Sequence, residues 1–380
     1  MKFIKYSRTS KINIGDYAIS EAIKYLSQKI CNKNVESFDI LFEDFDVDKR
    51  VEASKEISTF YKVVRRNKFK SRFVLELKKI LFLIKDKKKI QQQIDAADCV
   101  IVGGGNLFSE KNGSDMFHRA YQIIKMAKNS NKKIYVYAVG VGPFQFNYKK
   151  RLHTMIEFCN QFYVRDISSK LICDNSFKKN TQKIKITIDP AFILSDMYPE
   201  SIRRDKYIGI NFMNFGNIVP NSTFDIDKII SNLKNLYAFY KKPFKIINTS
   251  FGEDLSLSLL ISKALNDAHI DNHIINIKSM KDIPIAFSDL DFFIASRMHS
   301  SIFAMSYNVP TIIYPWHQKI IALNEFLFED KKEMVLLKSE NFDADEILTK
   351  IKNYKDSINL AEIILDKKSL IYRDYEALVK

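Results

Sequence analysis

Only ten glycines and four cysteines occur in 380 residues. No stretch approaches the roughly 18 to 20 uncharged apolar residues that span a membrane. The opening MKFIKYSRTSKINIGD has no apolar core of signal-peptide length. Cys31, Cys99, Cys159 and Cys173 form no CxxC pair and no group with metal-ligand spacing, which argues against a disulfide scaffold or a zinc site. Cys99 and Cys159 fall in apolar runs and read as buried thiols. Short repeats and low-complexity tracts are missing too. The expectation is a cytoplasmic protein with no metal and no resident cofactor.

What is present is a globular composition, 46% hydrophobic and 28% charged, long enough for two ordinary domains. The net charge is +15, and +10 of it lies between Lys62 and Lys89. That stretch carries Phe69, Phe73 and Phe82 among its cations but no recognised nucleic-acid motif, so no nucleic-acid partner is expected. FVLELKKILFLIKDKKK places Phe73, Leu77, Ile80, Leu81 and Ile84 on one helical face beside Lys78, Lys79 and Lys85. Such a face either packs on a sheet or lies on an anionic membrane surface.

Apolar strands alternate with helical patterns along the chain, which predicts parallel sheets covered on both faces. In the first half the strands are 2–7, 38–42, 98–105, 133–140, 161–166 and 184–192. After a polar stretch containing Pro199 the pattern restarts with strands at 207–212, 244–250, 273–277, 291–295 and 311–315, and two helices finish the chain. The reading is α/β: two doubly wound Rossmann-like domains, residues 1–200 and 201–380. Ligands of such sheets bind at the carboxyl ends of strands, so the active site is expected in the interdomain crevice.

Polar residues gather at those strand ends. In ASRMHSSIFA, Arg297 and His299 stand between a strand and a helix that opens at Ser300, where a helix N-terminus favours an anion. Gly103, Gly104 and Gly105 follow another strand. They permit either a tight turn or close backbone approach to a ligand, but GGGNLF has neither GxGxxG spacing nor a GK[ST] ending. Arg165 ends a strand beside Asp166 and ahead of Ser168, a candidate helix cap. Asp189 precedes Pro190 as a candidate turn cap, Asn13 is a helix cap and Asp16 a helix-start acid. His317 and Lys319 follow the last strand. His118, His153, His269 and His273 read as structural.

NIGD (13–16), IVGGGNLF (101–108), VGVGPF (139–144), YVRDISS (163–169), IDPAF (188–192) and SRMHSSIFA (296–304), with Pro310 and Lys319 downstream, together resemble the polysaccharide pyruvyltransferase family. The resemblance implies a two-domain fold similar to GT-B glycosyltransferases. It also implies transfer of the enolpyruvyl carbons of phosphoenolpyruvate to a sugar, forming a pyruvyl ketal on a cell-surface polysaccharide or its lipid-linked precursor. On that resemblance Arg297 and Arg165, supported by Lys319, hold the phosphoenolpyruvate trianion. His299 is the general acid, and Asp16 serves an acceptor hydroxyl from the opposite domain. Asn13, Gly103, Gly104, Gly105, Asn106, Ser296 and Ser300 are expected to line the substrate pocket. The chain departs from the family's usual Arg-Leu-His-Gly at Met298 and Ser300, and from its GQGIGP-like turn at Val139. A lipid-linked acceptor would suit an enzyme held at the inner face of the cytoplasmic membrane.

One rival reading is a GT-B glycosyltransferase using a nucleotide sugar. It requires a ribose and base pocket, and no convincing carboxylate for the ribose diol stands in the second half.

Overall fold

The computed structural model describes residues 2–9, 13–41, 82, 85–110, 115–144, 148–177, 181–200, 206–213, 215, 223–250 and 254–380. Among them the chain divides into two compact units. The first comprises Met1–Lys11, Ile19–Pro190 and Ser369–Lys380, the second Ile12–Ala18 and Ala191–Lys368. Each is a parallel sheet with helical crossovers.

In the first unit, β1 (Phe3–Ser7) leads through α1 (Ile14–Cys31) to β2 (Val35–Asp39). Next come α2 (Lys87–Asp95), β3 (Cys99–Gly103), α3 (Met116–Asn129), β4 (Lys133–Val139), α4 (Lys149–Phe158), β5 (Gln161–Val164), α5 (Ile167–Ser176) and β6 (Ile184–Ile186). All pairings are parallel, in the order β2-β1-β3-β4-β5-β6. The central strands are largely apolar, as helices covering both faces require, with Lys5 in β1 a buried exception. In β3, for example, every residue of CVIVG is buried. The strand order reverses between β1 and β3, which places the three glycines at a topological switch point.

The second unit contains the short α6 (Leu194–Met197), β7 (Tyr207–Ile210), α7 (Ile226–Tyr240), β8 (Phe244–Asn248), α8 (Leu255–Asp267) and β9 (Asn272–Asn276). It continues with α9 (Asp282–Phe287), β10 (Leu290–Ala295), α10 (Met298–Ser306), β11 (Thr311–Ile313), α11 (Gln318–Phe328), α12 (Ala344–Ser357) and α13 (Leu360–Val379). Its sheet order is β11-β10-β7-β8-β9, again parallel, and the reversal falls between β7 and β10.

Several expectations shift. The chain changes unit at Pro190, not in the polar stretch near Pro199, and residues 12–18 and 369–380 each belong to the unit opposite to the one expected. The reason is tertiary. Asn13 forms an antiparallel bridge with Ser250, and α13 is one continuous helix whose last turns rejoin the first unit. Three helices, not two, follow β11. The second strand ends at Asp39, because its carboxylate accepts the N–H groups of Thr9 (2.7 Å) and Leu41 (2.9 Å) and turns the chain there. β6 stops at Ile186, and a 3-10 turn begins at Pro190. Cys99 and Cys159 are buried as expected, and burial pushes the Cys159 thiol up to about 12.

Most of the basic stretch lies outside the described residues, including Phe73, Leu77, Ile80, Leu81 and Ile84. Its end is described. Phe82 is fully buried under the guanidinium of Arg119 (4.8 Å to the ring centroid), which also pairs with Asp86 (3.0 Å) and Asp115 (2.7 Å). Lys87, Lys88 and Lys89 are exposed on α2, while Ile90 and Ile94 on the same helix are buried. No described helix is long and apolar enough to cross a membrane.

Candidate functional site

The second unit gathers its polar residues where its strand order reverses. Asn211 follows β7 directly, has no exposed surface, and donates from Nδ2 to the Ile247 carbonyl (2.8 Å). Its Oδ1 accepts the Arg297 N–H (3.1 Å) and the hydroxyls of Ser300 (3.0 Å) and Ser296 (3.3 Å). One amide thus holds the start of the β10–α10 turn. Ser296 and Ser300, expected to touch substrate, are instead fully buried and serve this backbone. The helix opens at Met298, not Ser300, so Arg297 takes the cap position in extended conformation and His299 lies in the first turn.

The Arg297 head is held as firmly as its backbone. Nε donates to both oxygens of Asp254 (2.8 and 2.9 Å) and Nη2 donates to Oδ1 (2.6 Å). Asp254 is fully buried at the N-cap position of α8, while the Arg297 side chain is 18% exposed. This fork geometry is the one guanidinium and carboxylate favour. Stripping one partner from a buried pair costs about 3 to 5 kcal/mol, because the other charge is left uncompensated. On the neighbouring strand end, the Trp316 indole donates to the Ser296 carbonyl (2.7 Å). Next to it, His317 caps α11 by accepting the Lys319 N–H at Nδ1 (3.2 Å), and the Lys319 ammonium lies 5.8 Å from the Trp316 ring centroid.

The segment Asn13–Asp16 joins this cluster. Ile14 donates its N–H to the Thr249 carbonyl (3.4 Å), beside the bridge between Asn13 and Ser250. Asn13 caps α1 by accepting the Gly15 N–H (3.1 Å), and its amide donates to Asp16 (3.2 Å). Gly15 lies directly against the imidazole of His299, so close that a Cβ at that position would overlap the ring. Asp16 therefore shares a unit with Arg297 and His299 and does not approach from the opposite domain.

The first unit has a cluster of its own. Gly104 and Gly105 both have positive φ (84° and 68°), the left-handed region where glycine carries no steric penalty. The Gly104 N–H donates to the Tyr137 carbonyl (3.0 Å) and the Gly140 N–H to the Gly105 carbonyl (2.8 Å), lacing the loops after β3 and β4 together. Gly140 forms a floor under two side chains. A Cβ there would stand 2.5 Å from Oδ1 of Asn106 and 3.0 Å from Nη2 of Arg165. Asn106 is exposed and donates to the Gly142 carbonyl (3.1 Å). Arg165 is only 7% exposed and pairs with the fully buried Asp189 (3.3 Å), not with its neighbour Asp166. Asp166, in place of Ser168, caps α5 by accepting the Ser169 N–H (2.7 Å). A nearly buried guanidinium with one long ion pair, beside an exposed amide, is equipped to receive an anion.

Asn211 and Asp254 escaped the sequence reading, and Gly15 was noted only within NIGD, not as a partner of His299. Asn211 had a visible signal, as the polar residue that ends the apolar run YIGI. Asp254 had only its place at the head of a helix.

A model of the polysaccharide pyruvyl transferase family matches residues 13–318, most of the chain and all of the site residues above except Lys319. The chain belongs to that family. A search of curated proteins found no match. Among solved structures, the UDP-GlcNAc 2-epimerase of Methanocaldococcus jannaschii superposes with a TM-score of 0.50 at 9% identity, covering 93% of this chain and 92% of that one. A candidate UDP-N-acetylglucosamine 2-epimerase from Listeria monocytogenes gives 0.52 at 11% identity, covering 97% and 91%. At such identities the likeness is one of fold, two Rossmann-like domains of GT-B type. For this polysaccharide pyruvyl transferase, the clusters at Arg297 and Arg165 are the places to seek its chemistry.

Proposed function

We propose that this pyruvyl transferase takes phosphoenolpyruvate as donor and forms a pyruvate ketal on a sugar of a cell-surface polysaccharide, such as a capsule or exopolysaccharide, or on its lipid-linked precursor. The observation that carries the reading is the Arg297–His299 turn at the strand reversal of the second unit, in a chain of this family. Phosphoenolpyruvate is small and highly anionic, and a guanidinium fork matches both its phosphate and its carboxylate. Arg297 and Arg165 are the two assigned donor ligands, with Lys319 adding charge near Arg297. A proton delivered to the methylene carbon creates an oxocarbenium-like centre, which a sugar hydroxyl attacks. Phosphate leaves and a second hydroxyl closes the ketal. His299 is assigned as the acid, since imidazole is the side chain best suited to proton transfer near neutral pH. Asp16 is assigned to an acceptor hydroxyl. No metal or nucleotide enters this scheme.

The test is phosphate release from phosphoenolpyruvate in the presence of nitrophenyl or lipid-linked sugars, with mass spectrometry of the product. A sugar gaining a ketal-linked pyruvate supports the proposal. Turnover of a nucleotide sugar with no use of phosphoenolpyruvate would replace it with glycosyl transfer.

A further inference from the structure

We infer that Asp254 is the positioning residue of the Arg297 site, fixing the guanidinium in place and referring it to the turn that carries Asn13 and Asp16. The inference rests on the proposed function only in taking Arg297 as a donor ligand.

An arginine side chain is long and loses considerable rotamer freedom when it is ordered. Arg297 is anchored at both ends. Asn211 accepts its backbone N–H, and Asp254 accepts three hydrogen bonds from one edge of its guanidinium, at 2.6 to 2.9 Å. Asp254 is itself fixed. It stands at the N-cap position of α8, its backbone N–H donates to the Ser250 carbonyl (3.4 Å), and its Oδ2 accepts the Ser250 N–H (3.3 Å). The Ser258 hydroxyl donates to its carbonyl (3.1 Å). Ser250 in turn bridges to Asn13. One buried carboxylate therefore sets Arg297 relative to the Asn13–Asp16 segment, and with it the anion site relative to Asp16. A buried ion pair is weak evidence for stability on its own, because desolvation offsets the attraction. Placed here, its effect is on geometry: a guanidinium held in advance binds an anion without an ordering cost.

The experiment combines calorimetry with phosphoenolpyruvate, steady-state kinetics and a ¹⁵N spectrum of the arginine Nε–H groups. Asp254→Asn keeps the shape and removes the charge. In the wild-type background it should weaken donor affinity by about tenfold or more, with the loss falling on KM more than on kcat. In an Arg297→Ala background the same change should alter affinity by less than about twofold, because Asp254 acts through Arg297. Equal losses in both backgrounds would make Asp254 a structural residue and overturn the inference. Should Asp254→Asn fail to fold, the spectrum of the intact wild type decides. The Arg297 Nε–H, assigned by its disappearance in Arg297→Lys, should exchange slowly with solvent. Exchange as fast as that of exposed arginines overturns the inference whatever the fold of the variant. A wild type that ignores phosphoenolpyruvate sinks the proposed function instead, and the exchange measurement still settles the role of Asp254.

Discussion

A methyl group on Gly15 would stand 2.1 Å from Nδ1 of His299 and 2.3 Å from its Cγ. The two residues come from opposite ends of the sequence, yet the first turn of α1 fits the imidazole only because Gly15 has no side chain. Alanine should otherwise suit this helix, being favoured over glycine by about 0.5 to 1 kcal/mol. Gly15→Ala is therefore expected to displace His299 and lower turnover strongly. In a His299→Ala background, where the ring is gone, the same substitution should change turnover little further. Wild-type turnover in Gly15→Ala would contradict the contact.

His299→Gln keeps a polar side chain of similar reach but has no proton to transfer. Turnover should fall by about a hundredfold or more, while phosphoenolpyruvate affinity measured by calorimetry changes modestly. Near-normal turnover would move the acid elsewhere. His317, at the end of the adjacent strand, is the next residue to replace.

Arg297 and Arg165 separate by what each leaves behind. Arg297→Lys keeps the charge and loses the planar fork, so donor binding should weaken by about 2 to 3 kcal/mol with the fold intact. Arg165→Ala removes the cation paired with the buried Asp189 and should cost about 3 to 5 kcal/mol of stability in urea unfolding as well. Unchanged donor affinity in both Arg297→Ala and Arg165→Ala would remove them from donor binding.

Much of this molecule was legible in the sequence for a simple reason. A parallel strand covered on both faces must be apolar, so CVIVG and LDFFIA stand out, and polar residues just past such runs mark the carboxyl ends of a sheet. That is how Arg297, His299 and Arg165 stood out as candidates, whereas Asn106 entered only with the family resemblance. The supporting residues were hidden because their partners are remote in the chain. Arg297 and Asp254 lie 43 positions apart, and Arg297 and Asn211 lie 86 apart. Nothing near Asp254 distinguishes it from any acid at a helix start. That residues 12–18 belong with the second unit was hidden on the same ground, since the docking of Asn13 on Ser250 leaves no mark in local composition.

The basic stretch makes a separate prediction about location. Lys87, Lys88 and Lys89 face solvent on α2, beside a stretch whose pattern suits an anionic lipid surface. Each basic residue near such a surface contributes about 1 kcal/mol, an attraction that salt screens. Wild-type protein should float with anionic liposomes at low salt and not with neutral ones. A variant with Lys78, Lys79, Lys87, Lys88 and Lys89 changed to Gln should stay behind. Wild type that ignores anionic liposomes at low salt would leave the stretch as a solvated face.

The last prediction concerns Lys5, whose ammonium position in β1 has no exposed surface and no carboxylate hydrogen-bonded to it among the described residues. Its Nζ donates to the Ser20 carbonyl (2.5 Å) and hydroxyl (2.7 Å). Burial, with Lys24 adding repulsion, holds its pKa well below the usual 10.5. Below pH 10.5 the unfolded chain takes up a proton at this lysine that the folded chain resists until its own depressed value is reached. Between those two values the unfolded state binds more protons, so stability rises with pH. Lys5→Met keeps the length and apolar stem and removes the titration. Urea unfolding followed as the pH falls from 10.5 should show wild-type stability dropping relative to Lys5→Met, by up to about 1.4 kcal/mol per pH unit until the depressed folded-state value is passed. Lys5→Met should also be the more stable protein at pH 7, by an amount that shrinks as the pH approaches 10.5. Parallel curves for the two proteins would mean that Lys5 keeps its proton in the fold, with the two Ser20 oxygens sufficing to hold a buried charge.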